Sequence, residues 1–251
     1  MISKMGKKIF FIHPPSSLQG EYLESVFRKE FEIYLLDSIN KIEKLLTIFK
    51  DAILFINIDD SKTSLDWIDY IDGLQKKNPE LIIGVFSKSN SSSLKKALLL
   101  EVGIQGGFIE LVEDNWRTVE LIIKVLEANE ARGRRKNVRL DLKDSHEHKE
   151  LIVKIFTLSG FAYSGEVLSM SSAGLLTKLS KGNIRDDDNI DTVIFQLNEK
   201  ELRVKGYMLK KFEDGSFFIS FEDIEELDKQ FVQSYIFDHL QKSFISLLNR
   251  V

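Results

Sequence analysis

The sequence predicts a two-part chain: a doubly wound (βα)5 domain around a parallel sheet over residues 1–130, then a six-stranded antiparallel β-barrel with a long C-terminal helix over residues 131–251. Three observations predict it. Up to Glu130, short and continuously apolar runs alternate with stretches of helical period, the texture of a parallel sheet covered by helices. Beyond Val138 the runs are β-like and separated by Gly, Asn, Asp and Ser turns. After Glu225 a helical period returns and holds to the end.

In the first part the candidate strands are residues 9–12, 33–36, 52–58, 81–86 and 108–112, each continuous in apolar character as buried parallel strands tend to be. Tyr22, Leu23, Val26 and Phe27 share one helical face, and Trp67, Ile68, Ile71 and Leu74 another. Ser91-Ser92-Ser93 offers N-caps for a helix over 94–102. Asp114 does so for one that turns Val119, Ile122, Ile123 and Leu126 inward. In the second part, strands are predicted at 151–158, 161–170, 174–179, 192–197, 202–212 and 216–221, with turns at Gly182-Asn183 and Asp214-Gly215. The last helix carries Leu227, Phe231, Tyr235, Leu240, Phe244 and Leu248 near one stripe, with Val232, Ile236 and Ile245 beside it. That stripe is wider than one end of a small barrel requires, so part of it is expected to pack on the first domain or on a second subunit of a homodimer.

Composition narrows the function. A length of 251 residues with 43% hydrophobic and 29% charged side chains suits two domains with full cores. The net charge of −4 argues against a nucleic-acid polymer as partner, since the cations concentrate locally at Arg132, Arg134, Arg135, Lys136 and Arg139. No cysteine is present, which excludes disulfides and thiolate metal sites and fits a reducing compartment. The apolar run 9–12 stops at Pro14-Pro15, too short for a signal-peptide core, and no later run approaches the roughly eighteen residues of a membrane span. A cytoplasmic chain without membrane insertion is expected. No glycine-rich phosphate loop, nucleophile elbow or zinc-protease motif occurs, and His146 and His148 flank Glu147 without the further ligands a metal needs. The expectation is therefore no catalytic residue, no metal and no cofactor.

The informative residues are basic. Arg135 and Arg139 lie four apart, so on an extended segment they point to the same side. An arginine fork can grip phosphate or the O6/N7 edge of guanine with two bonds and can also stack on a base. Arg134 or Arg132 is placed to reach another part of the same ligand. Further on, Ser169-Met170-Ser171-Ser172-Ala173-Gly174 falls where one predicted strand turns into the next, with Ser169 and Ser171 on one face. Gly174 permits a close backbone approach or a positive φ. The two stretches together describe a site for a phosphorylated, guanine-bearing ligand.

These residues resemble the PilZ family, whose pattern is RxxxR followed by [D/N]xSxxG on a six-stranded barrel. Arg135, Arg139, Ser171 and Gly174 match it, while Ser169 stands where the family has Asp or Asn. The resemblance spans residues 132–251. It implies binding of cyclic di-GMP through Arg134, Arg135, Arg139, Ser169, Ser171 and Gly174, and signalling to a protein partner that the sequence does not name. A carboxylate accepts bonds from a guanine's ring N–H and amino group, whereas a hydroxyl offers one neutral acceptor; losing a charge-assisted bond costs on the order of 1–3 kcal/mol. The alternative is an interaction module that kept the fold and lost the nucleotide.

Residues 7–130 resemble the receiver domains of two-component signalling. The receiver's acidic pair after the first strand is replaced by His13-Pro14-Pro15, its phospho-acceptor by Asn57, and its lysine after the fifth strand by Glu110, while Asp59 and Asp60 fall slightly late. The resemblance thus implies a pseudo-receiver used for docking or dimerisation. The arginine stretch joins the two parts: without ligand its like charges keep it mobile, and a bound dinucleotide would neutralise and order it, changing the domain arrangement.

Overall fold

The computed structural model describes residues 6–59, 63–134, 136–142, 151–182, 184 and 189–250. The chain divides into two compact units, Met1–Lys136 together with Phe244–Val251, and Asn137–Ser243.

In the first unit, β1 (Ile9–Ile12), β2 (Ile33–Leu36), β3 (Ile53–Asn57), β4 (Ile82–Ser87) and β5 (Phe108–Glu110) form a parallel sheet in the order β2-β1-β3-β4-β5. That is a doubly wound order, with helices on both faces. The connecting helices are α1 (Glu21–Arg28), α2 (Ile42–Ile48), α3 (Ser64–Lys77), α4 (Ser92–Lys96), which runs into a π-helical turn at Ala97–Val102, and α5 (Asn115–Ala128). The predicted caps are present: the Ser91 hydroxyl accepts from the Leu94 N–H, and the Asp114 carboxylate from those of Trp116 and Arg117. Helix α2 fills the gap that the (βα)5 order leaves for a helix after β2, and its seven residues turn Ile42, Leu45 and Leu46 into the core.

Burial on both faces explains the continuous apolar strands. Phe11, Phe55 and Phe86 stack through the sheet, with Phe55 ring centroids 5.2 Å from Phe11 and 5.5 Å from Phe86. On another part of the core, Phe10 lies against Tyr34, Phe49 and Phe244, at 5.4, 5.5 and 5.3 Å. Burial, and then Glu32, which accepts the phenol's hydrogen bond, push the Tyr34 phenol pKa well above its ordinary value.

The second unit contains β6 (Arg139–Asp141), β7 (Ile152–Thr157), β8 (Ala162–Ser171), β9 (Gly174–Leu179), β10 (Ile190–Leu197), β11 (Lys200–Lys211) and β12 (Ser216–Glu222). Antiparallel pairing runs β8-β7-β10-β11-β12-β9, and β9 pairs back with β8 to close a six-stranded barrel. The six predicted strands are these six. Strand β8 serves three neighbours: residues 162–166 pair with β7, 165–171 with β9 around a bulge at Val167/Ser169, and 169–171 with β6. Strand β6 was not foreseen as a strand, because its one apolar residue, Leu140, stands between two charged ones and shows no period. At the predicted Asp214-Gly215 turn, Gly215 takes φ 81° and the Asp214 carboxylate accepts from Ser216. Asn183 of the other predicted turn lies outside the described residues.

The last helix, α6, spans Glu226–Arg250. Val232, Ile236, Phe244 and Leu248 define its buried line, with Phe237 beside it. Leu227 and Ile245 correct the predicted stripe: they fall off this four-residue repeat and are 75% and 50% exposed. Its residues from Phe244 onward are counted with the first unit, where the Phe244 ring lies 4.6 Å from that of Tyr34.

Candidate ligand-binding face of the barrel

Strand β6 lies antiparallel on the end of β8, pairing Arg139 with Ser171, Leu140 with Met170 and Asp141 with Ser169. Directly opposed residues put their side chains on the same side of a sheet. Leu140 and Met170 therefore share one side, both buried, and Arg139, Asp141, Ser169 and Ser171 share the other. The ladder continues outward from β8: Ser171 opposes Gly174, which opposes Ser220, and Ser169 opposes Leu176, which opposes Phe218.

Arg139 is exposed, with its guanidinium carbon 5.3 Å from the centre of the Phe218 ring. The ring holds the cation by its face. No carboxylate among the described residues pairs with Arg139, so its donors remain open to a ligand. Gly174 corrects the expectation of a positive φ: its backbone is outside the left-handed region. The residue is glycine because a Cβ there would fall 2.2 Å from the Ile219 carbonyl oxygen and 2.9 Å from Cζ of Phe218. Gly174 therefore seats Phe218, and Phe218 seats Arg139.

Ser171 is buried; its hydroxyl accepts from the Ala173 N–H at 3.3 Å and donates to the Gly174 carbonyl at 3.4 Å, tying the two-residue turn between β8 and β9. Ser169 is buried too, and no described residue hydrogen-bonds its hydroxyl. Arg134 is exposed in the turn after α5 and is counted with the first unit, and Arg135 lies outside the described residues, as do His146 and His148. Arg132, a candidate for a further ligand contact, is engaged within the first unit: it stacks 4.4 Å over the Phe31 ring and pairs with Glu127 at 3.5 Å.

Two members of this face escaped the sequence reading. Asp141 was available by strand alternation from Arg139. Phe218 is brought beneath Arg139 only by closure of the barrel, which no local pattern announces.

The polar end of the first unit's sheet is organised differently. The Asp59 carboxylate accepts from the Ser87 hydroxyl and the Lys88 N–H, both at 2.6 Å, and the Asn57 side-chain oxygen accepts from the Asp59 N–H. Glu110 pairs with Lys95 at 2.6 Å. His13 is a turn residue at φ 49°, its N–H donating to the Leu36 carbonyl. Asp60 lies outside the described residues. Among the described residues, no three His, Asp or Glu side chains gather as a metal would require, and no helix is long and apolar enough to cross a membrane.

No family model and no curated protein matches the sequence. Among solved structures, the chain is similar to PilZ domains. That of CeSA from a cellulose-synthesizing bacterium is 15% identical, with 41% of this chain and 98% of that one covered, at a TM-score of 0.31. The PilZ domain of YcgR from Escherichia coli, solved with c-di-GMP, is 10% identical over 47% of this chain and 99% of that one, at 0.37. The PlzA protein of Borreliella burgdorferi, in complex with c-di-GMP, is 15% identical over 52% and 51%, at 0.30. At TM-scores this low the similarity carries nothing about a ligand.

Proposed function

We propose that this chain is a bacterial, cytoplasmic signalling effector that binds cyclic di-GMP on the barrel face around Arg139. The supporting observation is the β6–β8 ladder: two stretches far apart in sequence meet there, with Arg139 opposite Ser171, its guanidinium held by Phe218 and paired with no carboxylate among the described residues. A guanidinium fixed by one face keeps its edge donors for a phosphate or for guanine O6/N7. Arg134 and Arg135 are assigned to the same ligand by their spacing in the sequence. Ser169, Ser171 and Gly174 form the floor. The ligand's charge neutralises the arginine stretch and orders it, and the altered domain arrangement is passed to a protein partner. Binding alone performs this task, so the chain acts without catalysis or a cofactor.

The test is calorimetric titration of the full chain with cyclic di-GMP, alongside Arg139→Ala. Binding by the native chain, weakened by roughly tenfold or more in the variant, is the expected result. No heat and no thermal shift at high micromolar ligand overturns it. That outcome would favour the second reading, a fold retained for protein interaction, which the buried neutral hydroxyl of Ser169 in an otherwise acidic or amide position supports.

A further inference from the structure

We infer that Asp141 is the guanine-reading residue of this face, supplying from β6 the carboxylate that residue 169 lacks on β8; the inference rests on the ligand proposed above. Asp141 and Ser169 are opposed in the antiparallel ladder, which holds their Cα atoms about 4.5–5.5 Å apart with both side chains on the side that carries Arg139. A carboxylate at either position reaches the same space above the sheet. The two positions differ in burial: Ser169 is 4% exposed, whereas Asp141 is exposed. A charge is cheaper to keep at the second.

The Asp141 carboxylate is also uncommitted, since no described residue forms an ion pair or hydrogen bond with it. Exposed acids are commonly uncommitted, so this alone would mean little. Its place relative to Arg139 gives it meaning. The two residues are next-but-one on β6, with side chains on one side and separated by about 6.8 Å, two strand repeats. Guanine offers acceptors O6 and N7 on one edge, and donors from N1–H and the 2-amino group on the adjacent one. A cation and a carboxylate side by side match that sequence of acceptors and donors, and adenine, which presents a donor at position 6 and no hydrogen at N1, does not. Arg139 alone would hold phosphate or guanine indifferently. With Asp141 the pair selects the base.

The experiment uses the full chain and calorimetric titration with cyclic di-GMP and with its hypoxanthine counterpart, which lacks the 2-amino groups. Asp141→Ala should weaken cyclic di-GMP binding by at least about tenfold and shrink the preference over the hypoxanthine ligand. Asp141→Asn should fall between, keeping an acceptor but losing the charge. Ser169→Asp in the native background should gain little, because two carboxylates directly opposed repel. Placed on Asp141→Ala, the same change should restore most of the affinity, a non-additivity that a merely structural role would not produce. If the native chain binds and Arg139→Ala abolishes binding while Asp141→Ala and Asp141→Asn bind as the native chain does, the inference is wrong and the ligand proposal stands. If the native chain binds neither ligand, both fall. Thermal melting of each variant establishes that the barrel is intact; Asp141 makes no described bond whose loss would unfold it.

Discussion

At the polar end of the first unit's sheet Asp59 and Glu110 are each taken by a neighbour, whereas Arg139 and Asp141 on the barrel form no ion pair with any described residue. At the end of the parallel sheet, Asp59 is taken by Ser87 and Lys88, and Glu110 by Lys95. On the barrel, Arg139 and Asp141 stand exposed two residues apart, and among the described residues the cation has a ring for a partner and no acid. The difference teaches where to look for a ligand. A charge satisfied internally has little left to offer a solute, while one held by the face of an aromatic keeps its hydrogen-bonding edge free.

The strongest challenge to this contrast comes from the core that the first unit closes for itself. Phe244→Ala empties the space between Phe10 and Tyr34 and should cost about 3–5 kcal/mol, read by chemical denaturation, with cyclic di-GMP affinity unchanged at temperatures where the chain is folded. A loss of affinity in the folded state would mean that the first unit is less self-contained than its hydrogen bonds imply. Gly174→Ala sharpens the other half. The added methyl meets a backbone carbonyl that cannot move alone, so stability should fall by about 1–3 kcal/mol, and displacement of Phe218 should weaken ligand binding as well. Unaltered affinity would show that the ring does not position Arg139.

Asp59→Ala should lower stability by about 1 kcal/mol and leave ligand binding as it is, which thermal melts and a parallel titration would report. Exposure of that variant and the native chain to acetyl phosphate with magnesium should add no mass to either; a phosphoryl group on the native chain alone would reopen the closed end of the sheet. Smallest of all, Lys95→Ala breaks a partly exposed pair and should shift stability by less than about 1 kcal/mol. In an alkaline absorbance titration, Tyr70, pushed up to about 12 mainly by burial, should ionise late, as should Tyr34, which burial and then Glu32 push up. For both groups the raised folded-state pKa gives stability that is full below the ordinary tyrosine value near 10 and is lost as pH climbs through the folded one.

Much of the architecture could be read because period and burial coincide. The five parallel strands are mainly apolar, with Asn57, Ser87 and Glu110 at their ends, so their limits were visible to within a few residues, and the six barrel strands are bounded by Gly, Asn, Asp and Ser. Helix α2 was expected from the (βα)5 order without assigned residues, whereas strand β6 was missed because its single buried side chain, Leu140, makes no period. On the candidate face, Arg139, Ser169 and Ser171, singled out from the sequence, meet in the β6–β8 ladder. Phe218 was invisible because its partnership with Arg139 depends on β12 pairing with β9, a relation between distant segments. Of the two uses open to Gly174 the positive φ is not taken; the residue leaves room for the neighbouring strand, which sequence alone gives no way to distinguish from a turn.

Phe244 also bears on how the protein is made. A ribosome emits the sheet of the first unit early, yet the ring that covers Phe10 and Tyr34 follows only after all of the intervening barrel. Domains emerging in sequence ordinarily finish one before the next begins. Here the earlier one must wait, with two aromatic rings uncovered, until the last turns of α6 have been translated, and its maturation is tied to synthesis of the barrel that lies between.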